Sequence, residues 1–110
     1  MKICVYYNQN LLGKLEKKEG CFVYNVAEGE GQVVKKYMLE FSEYGDLVGA
    51  KNLKSKKLFD FFSEVCNQIR KRTDLKVLAK ISDDDDDFDV LSKYATLTQF
   101  NQKFHFAIEN

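Results

Sequence analysis

The stretch that decides the fold is KICVYYNQNLLGKLEKKEGCFVYNV, residues 2–26. Residues 2–7 are rich in β-branched and aromatic side chains, and the turn-forming residues 8–10 separate them from a second such run, residues 11–15. Gly20 then precedes a third run of strand formers, residues 21–26. This pattern predicts a hairpin that continues into an antiparallel meander.

The chain beyond this meander predicts one more strand and a long loop. Residues 33–41 alternate apolar and polar side chains around Tyr37, which predicts a fourth strand. Residues 44–55 carry apolar side chains without periodicity and predict a loop that is long for a compact domain. Loops of this kind often carry function.

The second half predicts helices followed by a closing strand. Ser55 is a candidate cap for a helix whose apolar residues recur at helical spacing from Leu58 to Ile69. Residues 75–81 fit a helix or a strand, and we favour a helix. Acidic residues precede a helix predicted over residues 88–94, and residues 103–109 alternate as a last strand.

Together these elements predict a single domain, residues 1–110, of the α+β class. The expected architecture is a small antiparallel β-sheet, made of the N-terminal meander and the C-terminal strand, packed with two to three helices. With 45% hydrophobic residues, nine Phe and six Tyr in 110 residues, the chain has enough apolar area to form a core.

Composition also narrows the compartment and the class of partner. The three cysteines are widely spaced without a C-x-x-C pair, and no run is apolar enough for a signal peptide or a membrane span. We therefore expect a cytoplasmic protein with reduced thiols and no membrane partner.

The formal net charge is zero, but residues 74–110 carry four lysines against eight carboxylates, and the excess of basic residues in residues 1–72 balances them. Such a dipolar charge distribution suits the steering of a protein partner.

Residues of the types that often serve in catalysis or metal binding are better explained in this sequence by structural roles. Asp83 to Asp87 invite a metal hypothesis, but they lack the spacing of a calcium loop and suit the start of a helix better. His105 is the only histidine and has no catalytic partner nearby in sequence. The sequence contains no phosphate-binding loop and no nucleophile signature. We therefore expect a non-enzymatic protein without metal or cofactor.

Two groups of residues are candidates for binding. Seven basic residues form a candidate nucleic-acid patch, although such charges are more often a solvated rim. They are Lys51, Lys54, Lys56, Lys57, Arg70, Lys71 and Arg72. Phe59 lies off the apolar stripe of its helix, so it either packs at the core edge or meets a partner. Leu47, Val48 and Leu53 raise the same question.

Several short motifs along the chain resemble a known family, the N-terminal subdomain of HipA-type serine/threonine kinase toxins. Residues 2–15 resemble that family's strand, turn and V-G-x-L return, and residues 22–24 its F-x-Y strand. Residues 58–62 resemble its helix start with paired phenylalanines, and residues 87–94 its F-D-L-L segment. The chain departs from the family in the Asn-Gln-Asn turn and in lacking the family's prolines.

The resemblance implies a HipS-like antitoxin, a separate subdomain that binds and neutralises a HipT-like kinase toxin. A HipB-like DNA-binding protein would be a third partner, and no direct contact with nucleic acid is expected. The loop before the first long helix would face the kinase. The partner-interface residues implied are Leu47, Val48, Lys51, Asn52, Leu53 and Phe59. Two other functions stay open, a phage-type or regulatory inhibitor of another bacterial enzyme and a small nucleic-acid-binding module.

Overall fold

The computed structural model describes residues 1–38, 52–97, 99 and 103–110. Five strands and four helices follow one another along these residues. In chain order they are β1 (Lys2–Tyr7), β2 (Asn10–Lys18), β3 (Cys21–Val26), α1 (Gly31–Tyr37), β4 (Asn52–Ser55), α2 (Asp60–Arg70), α3 (Thr73–Ala79), α4 (Asp87–Tyr94) and β5 (Phe104–Glu109). The strands form one antiparallel sheet in the order β4-β3-β2-β1-β5, which confirms the α+β class.

The register of the strands gives the sheet a buried inner face. Ile3, Leu15, Tyr24 and Leu53 lie in one cross-strand row, and each of them is buried. Because side chains alternate along a strand, the next row faces the other way, and there Asn52 is exposed. The inner face is therefore the one that packs on the helices.

The helices complete the core over this inner face. Phe62 of α2 has no exposed surface, and its ring lies 5.8 Å from that of Tyr24 and 6.4 Å from that of Phe106, measured between centroids. Val90 and Leu91 of α4 are also fully buried. Each such side chain contributes about 1.5–3 kcal/mol on burial. One continuous core thus joins the sheet to α2 and α4.

Two sequence predictions of secondary structure are wrong. The fourth strand expected over residues 33–41 is a helix from Gly31 to Tyr37, and the rest of that range beyond Met38 lies outside the described residues. Val34 and Met38 are both buried, and their spacing of four places them on one helix face. The Tyr24 hydroxyl also donates to Met38 Sδ at 3.5 Å. Packing against the sheet therefore selects the helical period over the alternating one.

The second error concerns Ser55 and the loop around it. Ser55 ends β4 instead of capping a helix, and its Oγ accepts a hydrogen bond from the Lys57 backbone N–H at 3.1 Å. The helix begins at Asp60. The predicted loop therefore includes a strand in residues 52–55, while its residues 44–51 lie outside the described part of the chain.

The remaining elements agree with the sequence patterns. The meander is formed by β1, β2 and β3, the ambiguous segment is the helix α3, the acidic run precedes α4, and the last segment is β5. None of the helices in the described residues has the length and apolar character needed to cross a membrane.

Candidate protein-binding surface

The six residues of the predicted interface fall into three groups: outside the described residues, exposed, and buried. Leu47, Val48 and Lys51 lie outside the described residues. Asn52 is exposed at the start of β4. Leu53 is only 7% exposed and Phe59 has no exposed surface, because both face the shared core. The interface prediction is corrected for Leu53 and Phe59, since neither offers surface to a partner in this structure.

An aromatic cluster instead reaches the surface at one end of the sheet. Tyr37, at the end of α1, is 43% exposed, and its ring stacks on Tyr7 with centroids 4.9 Å apart and planes 18° apart. Tyr7 in turn contacts Phe104, at 5.0 Å between centroids. We call Tyr7, Tyr37 and Phe104 the aromatic surface. Phe104 continues inward to Phe61, at 5.0 Å, so the surface is anchored on the core.

The edge of the aromatic surface carries positive charge. Lys36 Nζ lies 5.1 Å from the centroid of the Tyr37 ring. Hydrogen bonding with Lys36 and with Tyr7 lowers the pKa of Tyr37, and the charge of Lys103 lowers it further. Partial burial and the bond with Tyr37 raise the pKa of Tyr7.

Strand directions place the aromatic surface and the start of β4 at the same end of the sheet, with β2 and β3 between β1 and β4. β1 runs toward Tyr7 and β3 runs parallel to β1, so both finish at the same end of the sheet. β4 starts at that end with Asn52, which pairs with Asn25. The described chain therefore stops at Met38, one residue after Tyr37, and resumes with Asn52 at this end of the sheet. Asn52 and the aromatic surface lie at a common end of the sheet.

A second exposed apolar feature lies on α3. Val77 is 72% exposed and Leu78 is 68% exposed, and we call these two residues the apolar pair. Ala79 beside them faces the core. The pair is adjacent to an ion pair between Lys76 Nζ and Asp83 Oδ1, which are 2.6 Å apart. The apolar pair belongs to the helical half, whereas the aromatic surface belongs to the sheet end.

The acidic run is occupied by contacts within the chain. Asp83, Asp85, Asp86 and Asp87 each have an oxygen within 3.6 Å of a basic nitrogen. The basic partners come from β2, α2, α3 and α4, and they are Lys17, Arg70, Lys76 and Lys93. Asp86 also caps α4, because its Oδ1 accepts from the Asp89 N–H at 2.8 Å. The helix-start interpretation of the run is confirmed.

In the candidate nucleic-acid patch, the two arginines form ion pairs with aspartates of the same chain. Arg70 is bound to Asp87 and to the Asp85 carbonyl, and Arg72 forms two hydrogen bonds with Asp74. Lys54, Lys56 and Lys57 are exposed near β4, and Lys51 lies outside the described residues. The two arginines predicted to extend the patch are therefore partly neutralised, which weakens the attraction for phosphate.

The histidine and the cysteines lie apart from both apolar features. His105 pairs with Tyr6 across β1 and β5, on the outer face. Cys66 is buried, its Sγ donates to the Asp87 carbonyl at 3.4 Å, and burial raises the pKa of its thiol to about 12. Across the described ranges, no three His, Cys, Asp or Glu side chains are placed to hold a metal ion.

Comparison of this chain with family models, with curated protein sequences and with solved structures gave no match.

The aromatic surface was not predicted from the sequence, because its members come from three elements that are distant in sequence, β1, α1 and β5. The available signal was that each of the three aromatic residues stands at the first or last position of its element.

Proposed function

We propose that this protein is a non-enzymatic, cytoplasmic, HipS-like antitoxin that binds and neutralises a HipT-like serine/threonine kinase toxin. The observation that carries the proposal is the aromatic surface at the end of the sheet where the implied kinase-facing segment is attached. Tyrosine is enriched among the residues that dominate the binding energy of interfaces, and Tyr37 presents 43% of its surface there.

The family resemblance supports the same proposal through the places that its motif residues occupy. Gly13, from the V-G-x-L return, lies under the Tyr24 ring, where a Cβ would meet ring atoms at 2.6 Å. Phe62, from the paired phenylalanines, and Val90 and Leu91, from the F-D-L-L segment, are fully buried. These buried motif residues therefore support folding of the domain, whereas Tyr37, the exposed anchor of the proposed interface, lies outside the motifs.

The test is co-expression of the chain with a HipT-like kinase from the same genome. We expect the two proteins to co-purify and the chain to restore growth of cells that produce the kinase. Tyr37→Ala should weaken the complex by about 2 kcal/mol, or about 30-fold in Kd, because it removes an anchor of the interface. Titration calorimetry measures this change on the purified proteins.

The matched control is the double variant Val77→Ser, Leu78→Ser, which changes the apolar pair and leaves the aromatic surface intact. We expect it to bind the kinase as the wild type does. If it loses binding while Tyr37→Ala keeps it, the kinase uses α3 and the assignment of the surface is wrong. If the wild-type chain neither co-purifies with the kinase nor restores growth, the proposed function is wrong.

A second candidate function is inhibition of another bacterial enzyme, and the apolar pair favours it, since two exposed adjacent aliphatic residues suit a hydrophobic site. A pull-down from the native host distinguishes the two. Recovery of an enzyme unrelated to kinases, with binding lost in the apolar-pair variant, would favour the second function.

A further inference from the structure

The carboxamide of Gln99 is bound to the outer edge of β5. Gln99 Oε1 accepts a hydrogen bond from the Phe106 backbone N–H at 2.9 Å, and Gln99 Nε2 donates to the Phe106 carbonyl at 2.8 Å. This pair of bonds is the one that a residue of an adjacent antiparallel strand makes with its partner. The side chain therefore occupies the position of a sixth strand at one residue.

The two edges of the sheet differ in how they are protected. The β4 edge is four residues long and carries Lys54, and short length and lysine both discourage pairing with another chain. The β5 edge is six residues long and has neither proline nor lysine within it. Because backbone groups alternate in direction, those of Phe104 and Ile108 point to the same side as those of Phe106.

We propose that the β5 edge is a self-pairing surface and that Gln99 keeps it closed, so that loss of this side chain joins two copies of the chain edge to edge. The pairing is antiparallel and centred on Phe106, as a two-fold axis requires. Phe104 then lies opposite the Ile108 of the second copy, and Lys103 lies opposite its Glu109. The chain thus offers opposite charges at both ends of the contact, and Glu109 is also paired with Lys14 of its own copy.

The Gln99 carboxamide also holds the segment that follows α4. Its Nε2 lies 3.4 Å from the carbonyl oxygens of Tyr94 and Leu97, which ties it to the end of that helix. In the described part of the chain, every hydrogen bond between residues 95–99 and β5 comes from this carboxamide. Its removal frees the N–H and the carbonyl of Phe106 together, while Ala95 and Leu97 keep the preceding turn packed on the core.

The experiment is sedimentation equilibrium of the purified full chain over a range of concentrations. We expect the wild type to be monomeric, and Gln99→Ala to lower the dissociation constant of the dimer by about tenfold or more. Adding Lys103→Glu to Gln99→Ala places two carboxylates opposite each other and should restore the monomer. Gln68→Ala, which removes an exposed glutamine from α2, is the matched control and should stay monomeric.

A measurement on the wild type keeps the test valid if Gln99→Ala does not fold. Native-state hydrogen exchange should show the Phe106 amide protected and the amides of Phe104 and Ile108 exchanging faster. Three results would overturn the proposal: a folded Gln99→Ala that remains monomeric, a wild type that already dimerises through β5, or a Phe106 amide that exchanges as fast as that of Ile108.

Discussion

At the scale of single residues, the clearest steric requirement is at Gly13 in β2. A Cβ at this position would lie 2.4 Å from the Asn25 carbonyl oxygen and 2.6 Å from the Tyr24 ring. Tyr24 is only 1% exposed, so its ring cannot swing into solvent without opening the core. The missing side chain of Gly13 therefore makes room for the largest buried side chain of the sheet.

We predict that Gly13→Ala lowers the free energy of unfolding by about 3 kcal/mol, because overpacking forces both the ring and the β3 backbone to move. Urea denaturation measures this loss. Gly20→Ala is the control: Gly20 has a φ of +78° with open space around it, so only backbone strain of about 1 kcal/mol is expected. Equal losses in the two variants would show that Tyr24 does not restrict this site.

At the scale of elements, the acidic run connects the helical half. Hydrogen bonding with Lys93 and with the Ser82 backbone lowers the pKa of Asp85, and hydrogen bonding with Lys76 lowers the pKa of Asp83. A carboxylate with a lowered pKa in the folded state adds stability above its unfolded pKa, and this stability is lost as the pH falls through the folded pKa. These contacts therefore stabilise the fold at neutral pH and are lost in acid.

We predict that Asp85→Asn lowers the Tm at pH 7 and makes the fall of Tm below about pH 4 shallower, since one depressed carboxylate no longer takes up a proton. Thermal denaturation between neutral and strongly acidic pH measures both effects. Asp84→Asn is the neighbouring control, because Asp84 is exposed and its hydrogen bond to Ser82 Oγ is donated by its backbone N–H, which the substitution keeps. An equal effect of the two substitutions would mean that the net charge of the run, not the pairing, is responsible.

The secondary-structure elements also show which parts of the fold can be predicted from sequence patterns. The meander and β5 were predicted because β-branched and aromatic runs ended at clear turn residues, and α4 because its acidic start matched the helix dipole. The strand expected over residues 33–41 failed because only Val34 and Met38 carry the helical signal in a short helix. At the candidate site, Phe59 lies off the apolar stripe of the helix and is nevertheless buried. It precedes α2 and has an extended backbone, so helical spacing does not predict where its side chain lies.

At the scale of the whole molecule, the opposite net charges of the two parts of the chain are partly paired with each other within the fold. Three ion pairs join distant positions of the basic first part and the acidic second part of the chain: Lys14–Glu109, Lys17–Asp86 and Arg70–Asp87. The sheet and the helices also share one core. Both observations indicate that the described elements unfold as one cooperative unit.

The cysteines provide a direct test of this cooperativity. Cys66 of α2 has no exposed surface and contacts the start of α4, whereas Cys21 is partly exposed at the start of β3. We predict that a thiol reagent modifies Cys21 in the native protein and reaches Cys66 only when the whole domain unfolds. The logarithm of the Cys66 labelling rate should then rise with urea with the slope of global unfolding, because both processes expose the same surface. A Cys66 rate that scarcely depends on urea would contradict this, since it would mean that α2 and α4 separate locally while the sheet stays folded.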